Sequence, residues 1–99
     1  MNPKFIIEDD SIIMGKVNYH RDLATDKSKV KGGGWFKYDK DTNTFIFYDS
    51  SFDFGKAKLE DIEECIKSDK VYLDRRKLKP VQLATNYAYD TGTEIIKLK

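Results

Sequence analysis

The sequence predicts an α+β fold: an antiparallel β-sheet of about six to seven strands, built from three hairpins, with one helix packed on one face. Three observations carry that expectation. Paired β-branched and aromatic runs recur on either side of short polar turns. A single segment, residues 58–68, breaks the period of two and spaces its apolar residues for a helix face. Aromatic residues make up 13% of a chain of 99 residues, enough apolar material to offset the ordering entropy that a disordered chain cannot recover.

The first pair of strands is Phe5-Ile6-Ile7 and Ile12-Ile13-Met14, joined through Glu8-Asp9-Asp10-Ser11. The second is Trp35-Phe36-Lys37-Tyr38 and Phe45-Ile46-Phe47-Tyr48, joined by a loop over residues 39–44 that is rich in turn formers. A symmetric register sets Phe36 and Tyr38 on one face with Phe45 and Phe47, giving aromatic cross-strand pairs. The other face then holds Trp35, Lys37, Ile46 and Tyr48, so neither face of this pair is purely polar. In the helical segment Leu59, Ile62, Cys65 and Ile66 line one side; Glu60 and Asp61 stand at its start and Lys67 at its end, as the helix dipole favours. Val71-Tyr72-Leu73 reads as a short strand, and Pro80 marks a break or the start of an edge strand. The third pair is Tyr87-Ala88-Tyr89 and Glu94-Ile95-Ile96 around Asp90-Thr91-Gly92-Thr93, with Gly92 suited to a positive φ. No repeat or linker divides the chain, so residues 1–99 are expected to form one domain.

Composition narrows the function classes. The lone Cys65 cannot close an internal disulfide, which points to a reducing, cytoplasmic compartment. No apolar run reaches the ~18–20 residues of a membrane helix, and none resembles a signal peptide. The net charge of +1 argues against a strongly basic nucleic-acid binder, although charge is unevenly spread. Residues 39–64 carry eight acids against three lysines, and residues 67–79 carry six bases against two acids.

Four groups of residues could carry chemistry. Tyr19-His20-Arg21-Asp22 holds the only histidine, so imidazole acid–base catalysis would rest on His20 with Asp22 orienting it; the bland reading is a loop at a strand end. Gly32-Gly33-Gly34, followed by Trp35, could cradle an anion with exposed N–H groups helped by Lys29 and Lys31. No helix follows the glycines, however, and a β-bulge or a sharp entry into the aromatic hairpin is the plainer explanation. Asp49 and Asp53 could hold a cation, but turn capping is the plainer role. Tyr72, Arg75, Arg76, Lys77 and Lys79 could grip phosphate and stack on bases, or could blunt an edge strand. The strings His20-Arg21-Asp22-Leu23 and Asp53-Phe54-Gly55 match pieces of the protein-kinase signature, but a chain of this length cannot house that fold. Cys65 reads as a buried thiol on the helix face.

Gly15-Lys16-Val17, His20-Arg21-Asp22-Leu23, residues 32–36 and Asp53-Phe54-Gly55 together resemble a group of small hypothetical proteins of gut bacteria and their mobile elements. The resemblance covers about residues 12–70; it implies a bacterial, intracellular origin and brings no activity with it. The sequence therefore supports three readings. The first is a non-enzymatic module binding a protein partner or a small anionic ligand through Tyr19, His20, Arg21 and Asp22 together with Gly32, Gly33, Gly34 and Trp35. The second is a nucleic-acid-associated protein using the basic segment, and the third a small hydrolase or transferase with His20 as general base. None calls for a cofactor or a metal, none needs a membrane, and an aromatic sheet with two apolar faces would suit a homodimer.

Overall fold

In the computed structural model, which describes residues 2–77, 79–81 and 86–99, seven strands form one sheet. They are β1 (Asn2–Glu8), β2 (Ser11–Val17), β3 (Val30–Asp39), β4 (Thr44–Tyr48), β5 (Val71–Tyr72), β6 (Asn86–Asp90) and β7 (Ile95–Lys97), with the helix α1 (Leu59–Lys67) between β4 and β5. The order across the sheet is β5-β2-β1-β3-β4-β6-β7.

The α+β class holds, but the expectation of a purely antiparallel sheet is corrected. β2 pairs with β5, and β4 with β6, in parallel. Turn chemistry joins strands adjacent in the chain and so yields antiparallel pairs; parallel neighbours need a long crossover. Here the crossovers run through α1, and no local signal announces them.

The three locally joined pairs are antiparallel. β1 and β2 align Phe5 with Met14 and Ile7 with Ile12 across a turn of only Asp9 and Asp10. Glu8 and Ser11, which read as turn residues, lie inside the strands and are buried. Phe36 faces Phe47 and Tyr38 faces Phe45 in β3 and β4, the symmetric register. Tyr89 faces Ile96 in β6 and β7.

Alternation sorts these side chains onto two faces. Phe5, Ile7, Ile12, Met14, Phe36, Phe45, Phe47, Tyr87 and Tyr89 share a core with Ile62, Cys65 and Ile66 of α1. Phe47 meets Phe5 edge-on at 4.9 Å and lies parallel to Tyr87 at 6.3 Å. Such aromatic pairs add about 0.5–1.5 kcal/mol each beyond the area they bury. On the other face a smaller cluster joins Ile6, Ile13 and Leu23, with Val17, Val30 and Phe54 against it.

Leu23 reaches that cluster from a 3₁₀ turn, His20–Leu23, and a second 3₁₀ turn, Lys27–Lys29, leads into β3. Glu8 ties this connection to the end of β1. Its carboxylate accepts from the Thr25 N–H at 2.7 Å, the Asp26 N–H at 3.3 Å and the Thr25 hydroxyl. Burial opposes the charge, but these donors outweigh it and hold the Glu8 carboxyl below the usual carboxylate range.

Candidate functional site

The glycine triplet lies within β3, not in a loop. Gly32, Gly33 and Gly34 face Ile7, Ile6 and Phe5 of β1, and the register shifts next to Gly32, between Ile7 and Glu8. On their other side the segment after β4 comes in at backbone distance: the Gly33 N–H donates to the Gly55 carbonyl at 3.1 Å, and the Ala57 N–H to the Gly33 carbonyl at 3.4 Å. A Cβ on Gly33 would stand 2.5 Å from the Phe5 carbonyl oxygen, and one on Gly34 2.5 Å from that of Tyr48. The triplet thus admits neighbouring main chain. With the Gly33 N–H bonded to the Gly55 carbonyl and all three residues buried inside a strand, the triplet is not an open anion cradle.

The same close approach seats the histidine. His20 is 5% exposed, and its Nε2 lies 2.7 Å from the Gly34 carbonyl oxygen. A carbonyl only accepts, so Nε2 carries the proton and the lone pair of the neutral ring is on Nδ1. Burial lowers the ring's pKa; the Gly34 bond and the charges of Asp53 and Asp49 oppose that, and Lys4 adds to it. Asp22 does not serve the histidine. Its carboxylate accepts from the Tyr19 N–H at 3.2 Å and closes the 3₁₀ turn. The His20–Asp22 pairing that a general-base reading would use is absent, and the buried ring with its N–H on a main-chain carbonyl acts as a structural bolt between this turn and β3.

The two segments singled out from the sequence, Tyr19–Asp22 and Gly32–Trp35, nevertheless meet. Next to the His20 contact lies a groove of about 380 Å³ lined by Lys4, Asn18, Tyr19, His20, Arg21, Trp35, Ser50, Phe52 and Asp53. Arg21 lies over the Tyr19 ring at 4.1 Å and reaches Asp53 at 3.7 Å. Lys4 is almost fully buried, with its Nζ 4.5 Å from the centre of the Trp35 ring and 3.3 Å from the Val17 carbonyl. Phe52 stands at the tip of a tight turn closed by bonds between Ser51 and Gly55, and its side chain is wholly in solvent. Ser51 is buried and its Oγ accepts from the Phe54 N–H at 3.1 Å. Asp53-Phe54-Gly55 thereby has a local role: an ion pair, a core contact and a positive φ of 79°.

Lys4 and Phe52 belong to the groove but to none of the four candidate groups of the sequence. Phe52 carries a signal, an aromatic residue set between serine and aspartate in a loop. Lys4 carries none, because only the β1–β3 register, which sets it opposite Trp35, brings it here.

The remaining candidates lie elsewhere. Asp49 accepts from the N–H of Ser50 at 2.9 Å, a turn contact. Among the described residues no three His, Cys, Asp or Glu side chains cluster to hold a metal ion. Cys65 is buried, which pushes its thiol up to about 12 and leaves it protonated and inert. Tyr72 sits in the edge strand β5, half-buried. Arg75 and Arg76 are exposed in the turn beyond it, Lys77 is half-buried and Lys79 exposed, and the Leu73 N–H donates to the Lys79 carbonyl. Leu78 of that segment lies outside the described residues. Among the described residues no helix is long and apolar enough to cross a membrane. Comparison with family models, with curated proteins and with solved structures gives no match.

Proposed function

We propose that the protein is a binding module whose groove between Tyr19, Arg21, Trp35 and Phe52 holds a small anionic ligand with a planar, aromatic part. One observation carries this reading: two cations, Lys4 and Arg21, are each held over an aromatic ring in the same groove. Such a pair supplies charge for an anion beside flat surfaces for a ring. Tyr19, 53% exposed, and Phe52 extend the flat surface outward, and Ser50 adds a hydroxyl. Of the imidazole, hydroxyl and carboxylate that line the groove, the His20 Nε2 is taken by the Gly34 carbonyl and Asp53 faces Arg21, so these residues support binding better than turnover.

An amide chemical-shift titration with adenosine monophosphate tests the reading. Shifts should cluster on Tyr19, Arg21, Trp35, Phe52 and Asp53, and Arg21→Ala should weaken binding about tenfold, the worth of a charge-assisted contact. Inorganic phosphate alone should shift the Arg21 region weakly. Nucleotide shifts elsewhere, or none at millimolar ligand, would overturn it.

A further inference from the structure

The groove opens onto a second feature, the sheet face turned away from α1. Register places Lys4, Trp35, Tyr48 and Asp90 in one cross-strand row over β1, β3, β4 and β6. The next row is Lys37, Ile46, Ala88 and Lys97 over β3, β4, β6 and β7. Their neighbours along the strands, Phe36, Phe45, Phe47, Tyr87 and Tyr89, point into the core shared with α1, so these two rows stand on the opposite face. The smaller cluster on that face gathers around Ile6, Ile13 and Leu23 at the β1–β2 end. Trp35 and Tyr48 are half-buried; Lys37 and Lys97 are exposed, and the Lys37 Nζ lies 5.3 Å over the Tyr48 ring. The rows carry three lysines against one aspartate, in a chain whose net charge is only +1.

From this juxtaposition we infer that the face is a platform for single-stranded nucleic acid, with Trp35, Tyr48 and the groove aromatics Tyr19 and Phe52 stacking bases and Lys37 and Lys97 meeting phosphates. The inference rests on the groove reading, since it makes the groove's planar anion one nucleotide of a longer strand. Trp35 belongs to both the groove and the face, which makes them continuous. Ile46 and Ala88 are buried at the middle of this face, and the half-exposed rings of Trp35 and Tyr48 beside the exposed Lys37 and Lys97 match the two demands of an unpaired strand: a flat partner for each base and a cation near each phosphate. The lysine over Tyr48 is exposed and can leave the ring for a phosphate, freeing the ring for a base. This surface differs from the segment at residues 72–79. That segment extends from β5, the edge strand at the far side of the sheet from β7.

Fluorescence anisotropy with labelled dT and rU 12-mers, beside adenosine monophosphate as competitor, tests the inference on the full chain. The 12-mers should bind at least tenfold more tightly than the mononucleotide. With about three phosphates neutralised, log K should fall against log salt with a slope of about −2. Charge reversal of two exposed residues, Lys37→Glu with Lys97→Glu, should weaken 12-mer binding tenfold or more while leaving mononucleotide binding within about twofold. Tyr48→Leu, which keeps apolar bulk but removes the ring, should weaken it about fivefold by loss of one stack. Arg75→Glu with Arg76→Glu should change it less than twofold. A 12-mer that binds no better than the mononucleotide overturns the platform and leaves the groove standing; absence of binding by both overturns both. Loss of 12-mer binding in the Arg75 and Arg76 variant, with the Lys37 and Lys97 variant unaffected, moves the site to the basic segment and overturns the platform. Competition by poly-glutamate equal to that by the 12-mer at matched charge overturns it in favour of an acidic protein partner.

Discussion

Along β3, Gly32–Gly34 and Trp35–Tyr38 share one extended strand but meet their neighbours through different atoms. In the aromatic half the contacts are between side chains: Phe36 opposite Phe47, Tyr38 opposite Phe45, Trp35 opposite Tyr48. In the glycine half the main chain of β1, the end of β4 and the segment at 56–57 all approach to where a Cβ would sit. The first half is organised by apolar burial, which is tolerant of shape and proportional to area. The second is organised by hard-sphere contact and main-chain hydrogen bonds, which have no such tolerance. The groove sits where the two halves join. The glycines let His20 and the 51–55 turn come close, and the aromatic half provides Trp35 as one wall.

The two halves respond differently to substitution. Phe47→Ala removes a fully buried ring that touches Phe5 and Tyr87 and should cost about 3–5 kcal/mol. Gly34→Ala adds only one methyl group, yet that carbon would lie 2.5 Å from the Tyr48 carbonyl oxygen and 2.9 Å from that of Asp49. A loss of about 3 kcal/mol is expected, at the upper end for overpacking, because main chain cannot rotate away as a side chain can. Urea midpoints for the two variants check this. If Gly34→Ala costs under ~1 kcal/mol, the main-chain contact is not what requires glycine there.

Gly92 sharpens the same point with a smaller effect. It has a φ of 96° and nothing within 4 Å of its would-be Cβ, so Gly92→Ala isolates conformational strain from crowding. It should cost about 1–2 kcal/mol and leave both the groove and the β3 contacts intact by amide shifts.

The two halves of β3 also explain what could be read in advance. The Phe36 and Tyr38 register was legible because side-chain alternation is written in the residues themselves, and so was the helix, through Leu59, Ile62, Cys65 and Ile66. The glycine run announced that something must come close without saying what. The answer was Lys56 and Ala57, more than twenty residues away, together with the Tyr48 carbonyl and the His20 ring. The parallel pairs β2–β5 and β4–β6 escaped for the same reason: sequence patterns record periodicity and local turns, whereas crossovers are settled by which apolar faces remain to be covered. Of the groove, Tyr19, Arg21 and Trp35 were visible as polar and aromatic residues in two suggestive segments. Their meeting with Lys4 and Phe52 was not.

A third effect, smaller again, concerns the His20 bolt between the 3₁₀ turn and β3. The His20 ring is held neutral by burial, so its pKa in the fold lies below the ordinary value near 6.5. Between those two values the unfolded chain binds more protons than the native one, and stability therefore falls as the pH is lowered from about 7. The loss levels off once the pH is below the folded value. Urea midpoints between pH 7.5 and 5 should show this decline, and His20→Gln, whose side chain can still donate to the Gly34 carbonyl, should flatten it. A decline of equal steepness in the variant would assign it to other groups.

The smallest effect expected is the most informative about function. Phe52 buries nothing, and its turn is held by Ser51 and Gly55 rather than by the ring. Phe52→Ala should therefore change stability by less than about 0.5 kcal/mol, as for other surface sites, in contrast to several kcal/mol at Phe47. Two phenylalanines five residues apart thus separate the uses of an aromatic side chain: one is needed to fold, the other is free to bind. If the Phe52 variant keeps its urea midpoint and loses affinity for adenosine monophosphate, the ring belongs to the recognition surface. If the midpoint drops by 2 kcal/mol or more, Phe52 supports the fold, and the outer wall of the groove is not a surface held open for a ligand.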